Sequence, residues 1–531
     1  MTRTAPRRAA TRRRTSTAFD QAAYEREVEE FAGEQGEAEY ANLAGFRAEL
    51  DLAPVYQRHG GLFSPAAIDG LRQAAAGSGP GAARARRLLG FAVAGHLEQA
   101  AAPLTDRIAA AESTAVVVWR RERIGYRRAP IRVADISDRT ERNALDERYR
   151  LAMEAINPLR EERWAILHAQ ARSLGASDYV ALTAESTGLD PEGVAAGASA
   201  FLDDSETLYY AALRRYLALI EIEGGDGTVA DLAHLLRGRS WDHYFDSARL
   251  TEVLTRTLNG LGIDLAAQEG ITLDFEPRPG KSPRAFCVPV RVPGDVRLVV
   301  QPRGGHEDFG SALHEMGHLQ HFAHISARLD PADRYVGDES VTEGWAFLFQ
   351  YLLAEPEFLA TELRMPADAI PGWLDFAAFR KLYFLRRYAA KLLYELRLHR
   401  GGEPAIHRAE YAGLLGLLTG VRTPDAGYLA DVDDGLYAAR YLRAWLAEAS
   451  LSTALRDRFG ATWWRSPEAG VFLRERWSVG LGPSAEDVVA PLGYDHLDWR
   501  PVMRQIRAQL IGAMSGYGGP NITTRAGSRK V

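Results

Sequence analysis

Helical periodicity fills almost all of this 531-residue chain and leaves room for little else. From Phe19 to Glu223, segments rich in Ala, Leu, Arg and Glu repeat their apolar residues every three to four positions, the pattern of amphipathic helices. Glycine-rich breaks fall at Gly77–Gly81 and Gly224–Gly227, and the second marks the expected boundary between subdomains. Ala285–Gln301 differs. There Phe286, Val288, Val290 and Val292 alternate with other residues, Pro293-Gly294-Asp295 turns the chain, and Val296, Leu298 and Val300 alternate again. A period of two interrupted by a turn predicts a hairpin. Pro289 cannot donate to a ladder, which puts the first strand at a sheet edge. The helical pattern resumes at Asp308 and runs to about Leu510. The expected fold is mainly α with one small antiparallel β element, divided into residues 1–17, 18–225, 226–514 and 515–531.

Composition narrows the class. No run of 18 apolar residues occurs; the best stretch, Leu88 to Leu104, is broken by His96 and Glu98, so no membrane span is expected. No apolar core follows the N-terminus, so no ordinary secretory signal is expected. Cys287 is the sole cysteine. It excludes an internal disulfide framework, suits a reducing, cytoplasmic setting, and means that any metal is held by nitrogen and oxygen. A net charge of −6 argues against nucleic acid as a partner. Residues 1–17 are the exception, with Arg3, Arg7, Arg8, Arg12, Arg13 and Arg14 and no acid. Such a tail is expected to be solvated and disordered, the alternatives being an anionic partner or an organelle-type presequence. Ser515–Val531, polar and rich in glycine, is expected to be loose as well.

His314-Glu315-Met316-Gly317-His318 carries the chemistry. Residues i and i+4 share a helix face, so both imidazoles reach one metal ion. Glu315 points about 100° away, placed to touch a metal-bound water rather than the metal. Asp308 is the expected N-cap of a helix from Phe309 to about Ile325. Phe309, Leu313, Met316 and Ala323 form its apolar face; His314, His318 and His321 form another. The competing reading, histidines that are merely solvated or satisfied in a core, conflicts with that separation of faces.

A catalytic zinc ion needs a third protein ligand. His321 lies seven residues from His314, about 10 Å along the axis, too far to converge with the other two. It is expected to support the ligands from behind or to face substrate, with an ordinary surface histidine as the plainer reading, and His324 and His306 are weaker candidates. The next apolar helix, from Asp338 to Phe349, offers Glu343, 25 residues after His318, with Glu339 as the rival. Ser340-x-x-Glu343 also fits a capping box, which would engage Glu343 with backbone instead. Asp338 and Glu339 are candidates for orienting a ligand histidine. Cys287, without a histidine partner nearby in sequence, reads as packing, as do Trp463, Trp464 and Trp477.

These blocks resemble a gluzincin metallopeptidase, most nearly the thimet oligopeptidase and oligoendopeptidase F family. His314-Glu315-Met316-Gly317-His318-Leu319-Gln320-His321 matches that family's H-E-x-G-H-x-x-H, and Glu343 falls at its ligand spacing. Trp241-Asp242-His243-Tyr244-Phe245 resembles its W-D-x-x-Y-Y block. Tyr441-Leu442 heads a helix similar to its tyrosine-rich helix, and Ser484 to Leu492 is similar to its terminal segment. The resemblance covers residues 240–500 in islands. There are departures. Glu343-Gly344-Trp345-Ala346 replaces E-x-P-S-Q and is closer to relatives of angiotensin-converting enzyme or to aminopeptidases with N-E-G-F-A. Ala430 to Gly435 offers Asp431, Asp433 and Asp434 but no His, and Arg440-Tyr441 resembles the R-Y pair of angiotensin-converting enzyme.

The resemblance implies a helical, two-lobed peptidase with a deep channel, acting on short peptides. One Zn2+ is held by His314, His318 and Glu343, with Glu315 as general base. Tyr441 is the expected oxyanion donor, Tyr437 one turn earlier its helper, and Tyr428 a weaker candidate. Arg440 is a candidate for a substrate carboxylate. Gly304-Gly305 and the edge strand are candidates for meeting a peptide backbone, with a simple turn as the plainer reading of the glycines. Two other functions remain open: a helical binding protein that keeps zinc without turnover, and a hydrolase of a non-peptide amide.

Overall fold

The apolar repeats become helices throughout the computed structural model, which describes residues 19–47, 49–223, 225–278 and 280–514. The basic stretch 1–17, Gly224 of the expected break, and Ser515–Val531 lie outside the described residues. The principal helices are α1 (Gln21–Leu43), α2 (Pro80–Thr114), α3 (Asn157–Ser173), α4 (Pro191–Ala218), α5 (His306–His324), α6 (Glu339–Gln350), α7 (Ile370–His399), α8 (Tyr437–Phe459) and α9 (Trp499–Met514), joined by shorter ones. Their starts follow ordinary capping chemistry. The Asp20 carboxylate accepts the Ala23 amide ahead of α1, and Asp190 accepts that of Gly193 ahead of α4, where Pro191 fills the first position.

Two β elements depart from the sequence expectation. Residues 114–126 do not continue the helical run. β1 (Val116–Trp119) and β2 (Glu122–Gly125) pair antiparallel through a two-residue turn with Arg120 at φ 54°. Val116-Val117-Val118-Trp119 is a run of β-branched and aromatic residues that loses little by leaving the helix. The expected hairpin is present as β4 (Phe286–Arg291) and β5 (Asp295–Val299), with a bulge between Pro289 and Arg291. A third strand, β3 (Ile271–Asp274), adds parallel to β5, giving the order β3-β5-β4. β4 is therefore an edge, as Pro289 predicts. Its two faces are both used. Val296 and Leu298 of β5 turn toward α5, whereas Val288 and Val290 turn toward α1, where a Cβ on Gly36 would lie 3.1 Å from Val290 Cα.

Two large apolar cores hold the helices together. One contains Val180, Phe201, Leu213, Val253, Leu298, Leu313, Trp345, Leu442 and Leu473 and surrounds α5, α6 and α8. The other joins Phe31, Phe63, Leu88, Trp164 and Leu167 of the N-terminal helices to Ala390, Tyr394 and Leu398 of α7. α7 also sends Phe379, Leu382 and Leu392 into the first core, so it ties the two together. Trp463, Trp464 and Trp477 are fully buried, as expected of core residues. Among the described residues no helix is long and apolar enough to cross a membrane.

The position of α6 on α5 depends on Gly317. A Cβ there would lie 2.6 Å from both Ala346 Cα and the Trp345 carbonyl oxygen, backbone atoms that cannot step aside. Gly317→Ala is expected to push the two helices apart and lower stability by about 1–3 kcal/mol, the usual cost of overpacking. Denaturant unfolding of the variant beside wild type measures this, and an unchanged midpoint would show that the contact yields.

Candidate metal centre

α5 begins three residues earlier than expected. Gly305 is its N-cap, and Asp308, in the first turn, accepts the backbone amides of Arg303 and Gly304 instead of capping. Gly304 and Gly305 have φ of 97° and 98°. At Gly305 a side chain would meet Asp242, whose carboxylate is held by Arg237 at 2.9 and 2.8 Å. Gly305 thus serves a turn packed on the Trp241–Phe245 block, while a side chain at Gly304 would meet open space. Phe245 packs on Phe309, and with Trp241 flanks Trp373, so this block buttresses the start of α5. Phe309, Leu313 and Met316 are buried as predicted, while Ala323 is half-buried.

Two turns into α5, His314 and His318 point their Nε2 atoms at one carboxylate oxygen. Glu343 Oε2 of α6 lies 3.2 Å from His314 Nε2 and 3.7 Å from His318 Nε2. One donor atom from each of the three residues falls within 4.8 Å of the others. The far side of each ligand is also held. His314 Nδ1 is 2.9 Å from Gln350 Oε1, His318 Nδ1 is 2.8 Å from Thr342 Oγ1, and the Tyr437 hydroxyl donates to Glu343 Oε1 at 2.8 Å. Gln350 Oε1 can only accept, so His314 Nδ1 carries a proton and directs its other nitrogen inward.

The donor set fits a divalent metal ion. Glu343 Oε2 is buried and has no hydrogen-bond partner, although it faces two imidazole nitrogens. An orphaned carboxylate oxygen is costly, and a cation between the three donors removes that cost. Burial alone would raise the Glu343 pKa; the facing imidazoles of His314 and His318 and the Tyr437 hydroxyl bring it to about 2, so the carboxylate is anionic. The histidine side chains keep 14% and 12% exposure, enough for an ion to enter.

Glu315 stands beside the cluster and outside it. Its half-buried carboxylate accepts the Cys287 amide on the free edge of β4, and burial lifts its pKa to about 7 against the pull of His314. Cys287 lies close by, its thiol pushed well above the ordinary range by burial and by Glu315. Tyr441, one turn after Tyr437 on α8, packs against Phe347, Tyr388 and Trp445. Burial, Glu343, Tyr388 and Glu315 together hold its phenol well above its usual pKa, so it is a proton donor near both carboxylates.

Several expected roles change. Glu339 pairs with Arg440 outside the cluster, which leaves Glu343 as the carboxylate of the candidate site. Asp338, not Ser340, caps α6 by accepting the Ser340 amide at 3.0 Å, so no Ser340–Glu343 capping box competes with ligation. Asp338 also binds Arg443 at 2.9 Å and orients no histidine; Thr342 and Gln350 do that. His321 does not face a substrate space. It is fully buried beside Phe322 and Trp345, and burial lowers its pKa to about 3. His306 spans Arg237 and Arg380, His324 binds the Gln320 carbonyl, and the buried Tyr428 donates to Glu161.

A cavity of about 1350 Å3 begins beside the cluster. Thr342 and Tyr437, which touch the ligands, form part of its wall with Pro289, and it extends to Tyr56 and Phe91 of the N-terminal helices. The ligand side chains themselves stand one layer behind that wall. No protein-family model matches the chain, and no curated protein matches it. The arrangement defines a helical protein with a buried His-His-Glu site able to coordinate a metal ion.

Glu343→Ala is expected to abolish stoichiometric metal binding and Glu339→Ala to leave it intact. Metal content after dialysis against a trace of zinc decides between them; the reverse result reassigns the ligand.

Proposed function

We propose that this chain is a zinc-dependent peptidase that hydrolyses short peptides. The observation that carries the reading is the placement of Glu315 beside, and not within, a buried His314–His318–Glu343 cluster. A zinc ion bound there supplies Lewis-acid activation of water and of the scissile carbonyl. Glu315 is the general base, receiving the proton of the attacking water and passing it to the leaving amine. The Cys287 amide fixes its carboxylate against β4. Tyr441 supplies the donor for the developing oxyanion from the opposite side. Tyr437 has a different task, since its hydroxyl is engaged by Glu343.

Peptide is favoured as substrate by the strand edge next to Glu315. Ala285 and Phe286 at the start of this strand are half-buried, while Gly33 and Gly36 of α1 cover the Val290 end. The 1350 Å3 cavity has room for several residues of a peptide and supports a channel between two helical halves. In the His-His-Glu set, the neighbouring Glu and the helix carrying Tyr441, the site resembles the thimet oligopeptidase family, with the Glu343-Gly344-Trp345-Ala346 variation.

Glu315→Gln is expected to keep its zinc and lose about 10²–10⁴-fold in kcat, the usual worth of a general base. Tyr441→Phe is expected to keep its zinc and lose about 10²-fold. Both are read from cleavage of a mixed peptide pool by mass spectrometry beside metal analysis. A zinc-loaded wild type that leaves a broad pool intact overturns the peptidase reading.

A further inference from the structure

Every atom that orients the three ligands belongs to an uncharged side chain. His314 is held by the Gln350 amide, His318 by the Thr342 hydroxyl and Glu343 by the Tyr437 phenol. Two of the three, Thr342 and Gln350, come from the same helix as Glu343, and Thr342 and Tyr437 also form the cavity wall. Three acidic groups at the start of α6 and in the turn before α8 are engaged elsewhere. Asp338 is bound by Arg443 and the Ala485 amide, Glu339 by Arg440, and Asp433 by Lys391. Among the described residues, neither Nδ1 reaches a carboxylate.

The identity of that partner sets the basicity of the ligand. A carboxylate behind an imidazole draws its Nδ1 proton away and makes Nε2 a stronger donor; an amide or hydroxyl oxygen does so much less. The Tyr437 phenol, also uncharged, positions the third ligand by donating to the other oxygen of Glu343.

We propose that Gln350, Thr342 and Tyr437 are positioning residues forming a neutral shell that keeps the bound zinc electron-poor and weakly held. The centre gains electrophilic power at the expense of affinity, and its metal content follows the free zinc concentration. This rests on the zinc site proposed above. It goes further by assigning three residues to the tuning of that site, and it separates Tyr437 from the oxyanion role.

The test is zinc affinity, measured on metal-stripped full-length chain by competition with a chromophoric chelator, with peptide cleavage followed in parallel. Gln350→Glu changes an oxygen acceptor into a charged one of the same shape. It is expected to bind zinc about 10-fold or more tightly, a gain that damage to the fold cannot produce, and to cleave with lower kcat. Thr342→Val and Tyr437→Phe are expected to bind about 10–100-fold more weakly, with Thr342→Ser restoring the wild-type value. Equal or weaker affinity in Gln350→Glu overturns the proposal, as does unchanged affinity in Tyr437→Phe. If the affinities shift as stated and no variant or wild type cleaves peptide, the shell stands and the peptidase reading falls. If cleavage is normal and the affinities do not move, the reverse holds.

Discussion

The site depends on how closely α6 lies on α5, and that distance is set where Gly317 meets Ala346. The two helices run antiparallel there: His314, before Gly317, meets Gln350, after Ala346, while His318 meets Thr342. With the contact point between the two histidines, each of them reaches a polar side chain of α6. Glu343 then falls between the imidazoles without any loop having to carry it. Rigid helices position such groups more accurately than loops do, since rotamers locked by packing cannot drift. On its far face α6 is held by α8, where a Cβ on Gly344 would sit in ordinary contact at 3.5 Å from Ala447 Cβ. Small residues on both faces of α6 let three helices stack around one carboxylate.

Burying that carboxylate constrains everything near it. Charged groups are rarely buried unless paired, and Glu343 is only 7% exposed. Tyr437 satisfies one oxygen; the other waits for a cation between two imidazoles. The backbone leading into α8 reflects the need to place that phenol. Gly435 has φ 68°, and the fully buried Leu436 has φ 54°, a conformation branched-chain residues rarely adopt outside functional segments. Tyr437 follows at once as the first residue of the helix. The Gly435 amide is fixed by the Tyr179 hydroxyl from the N-terminal half, so the second part of the chain alone does not complete this support.

How much of this was legible in the sequence varies with the kind of interaction. His314, His318 and Glu315 follow from a helix period, a local property, and the structure keeps their spacing. Glu343 was accessible because it is an acid on an otherwise apolar helix, an arrangement that requires compensation. Thr342 and Gln350 gave no such signal. Their role exists only through the antiparallel crossing of two helices, and two polar residues eight positions apart on α6 form no motif. His321 failed for the complementary reason. The helical wheel groups it with His314, but α6 crosses over that part of α5 and encloses it beside Trp345. The strand pair at Val116–Gly125 was hidden by flanking helices, and β3 by its parallel pairing with a distant β5, which leaves no hairpin turn to detect.

The two tyrosines of α8 show how one helical turn divides a task that the sequence assigned jointly. Tyr437 and Tyr441 are four apart and their rings lie 5.0 Å from each other, so the wheel alone gives them one role. Their surroundings differ. Tyr437 is held by Glu343 and its hydroxyl is committed to the ligand, where it cannot follow charge developing on a substrate. Tyr441 is one turn further from the start of the helix and is wedged by Phe347, Tyr388 and Trp445, with no hydrogen-bond partner assigned to its hydroxyl among the described residues. A donor that is held in place but uncommitted is what oxyanion stabilisation requires, since its hydrogen bond then forms where charge appears and costs no rearrangement. Ala430–Gly435 carries no histidine. That segment instead carries Asp431 and Asp433, which bind Arg387 and Lys391 of α7 and anchor the turn that feeds both tyrosines into α8.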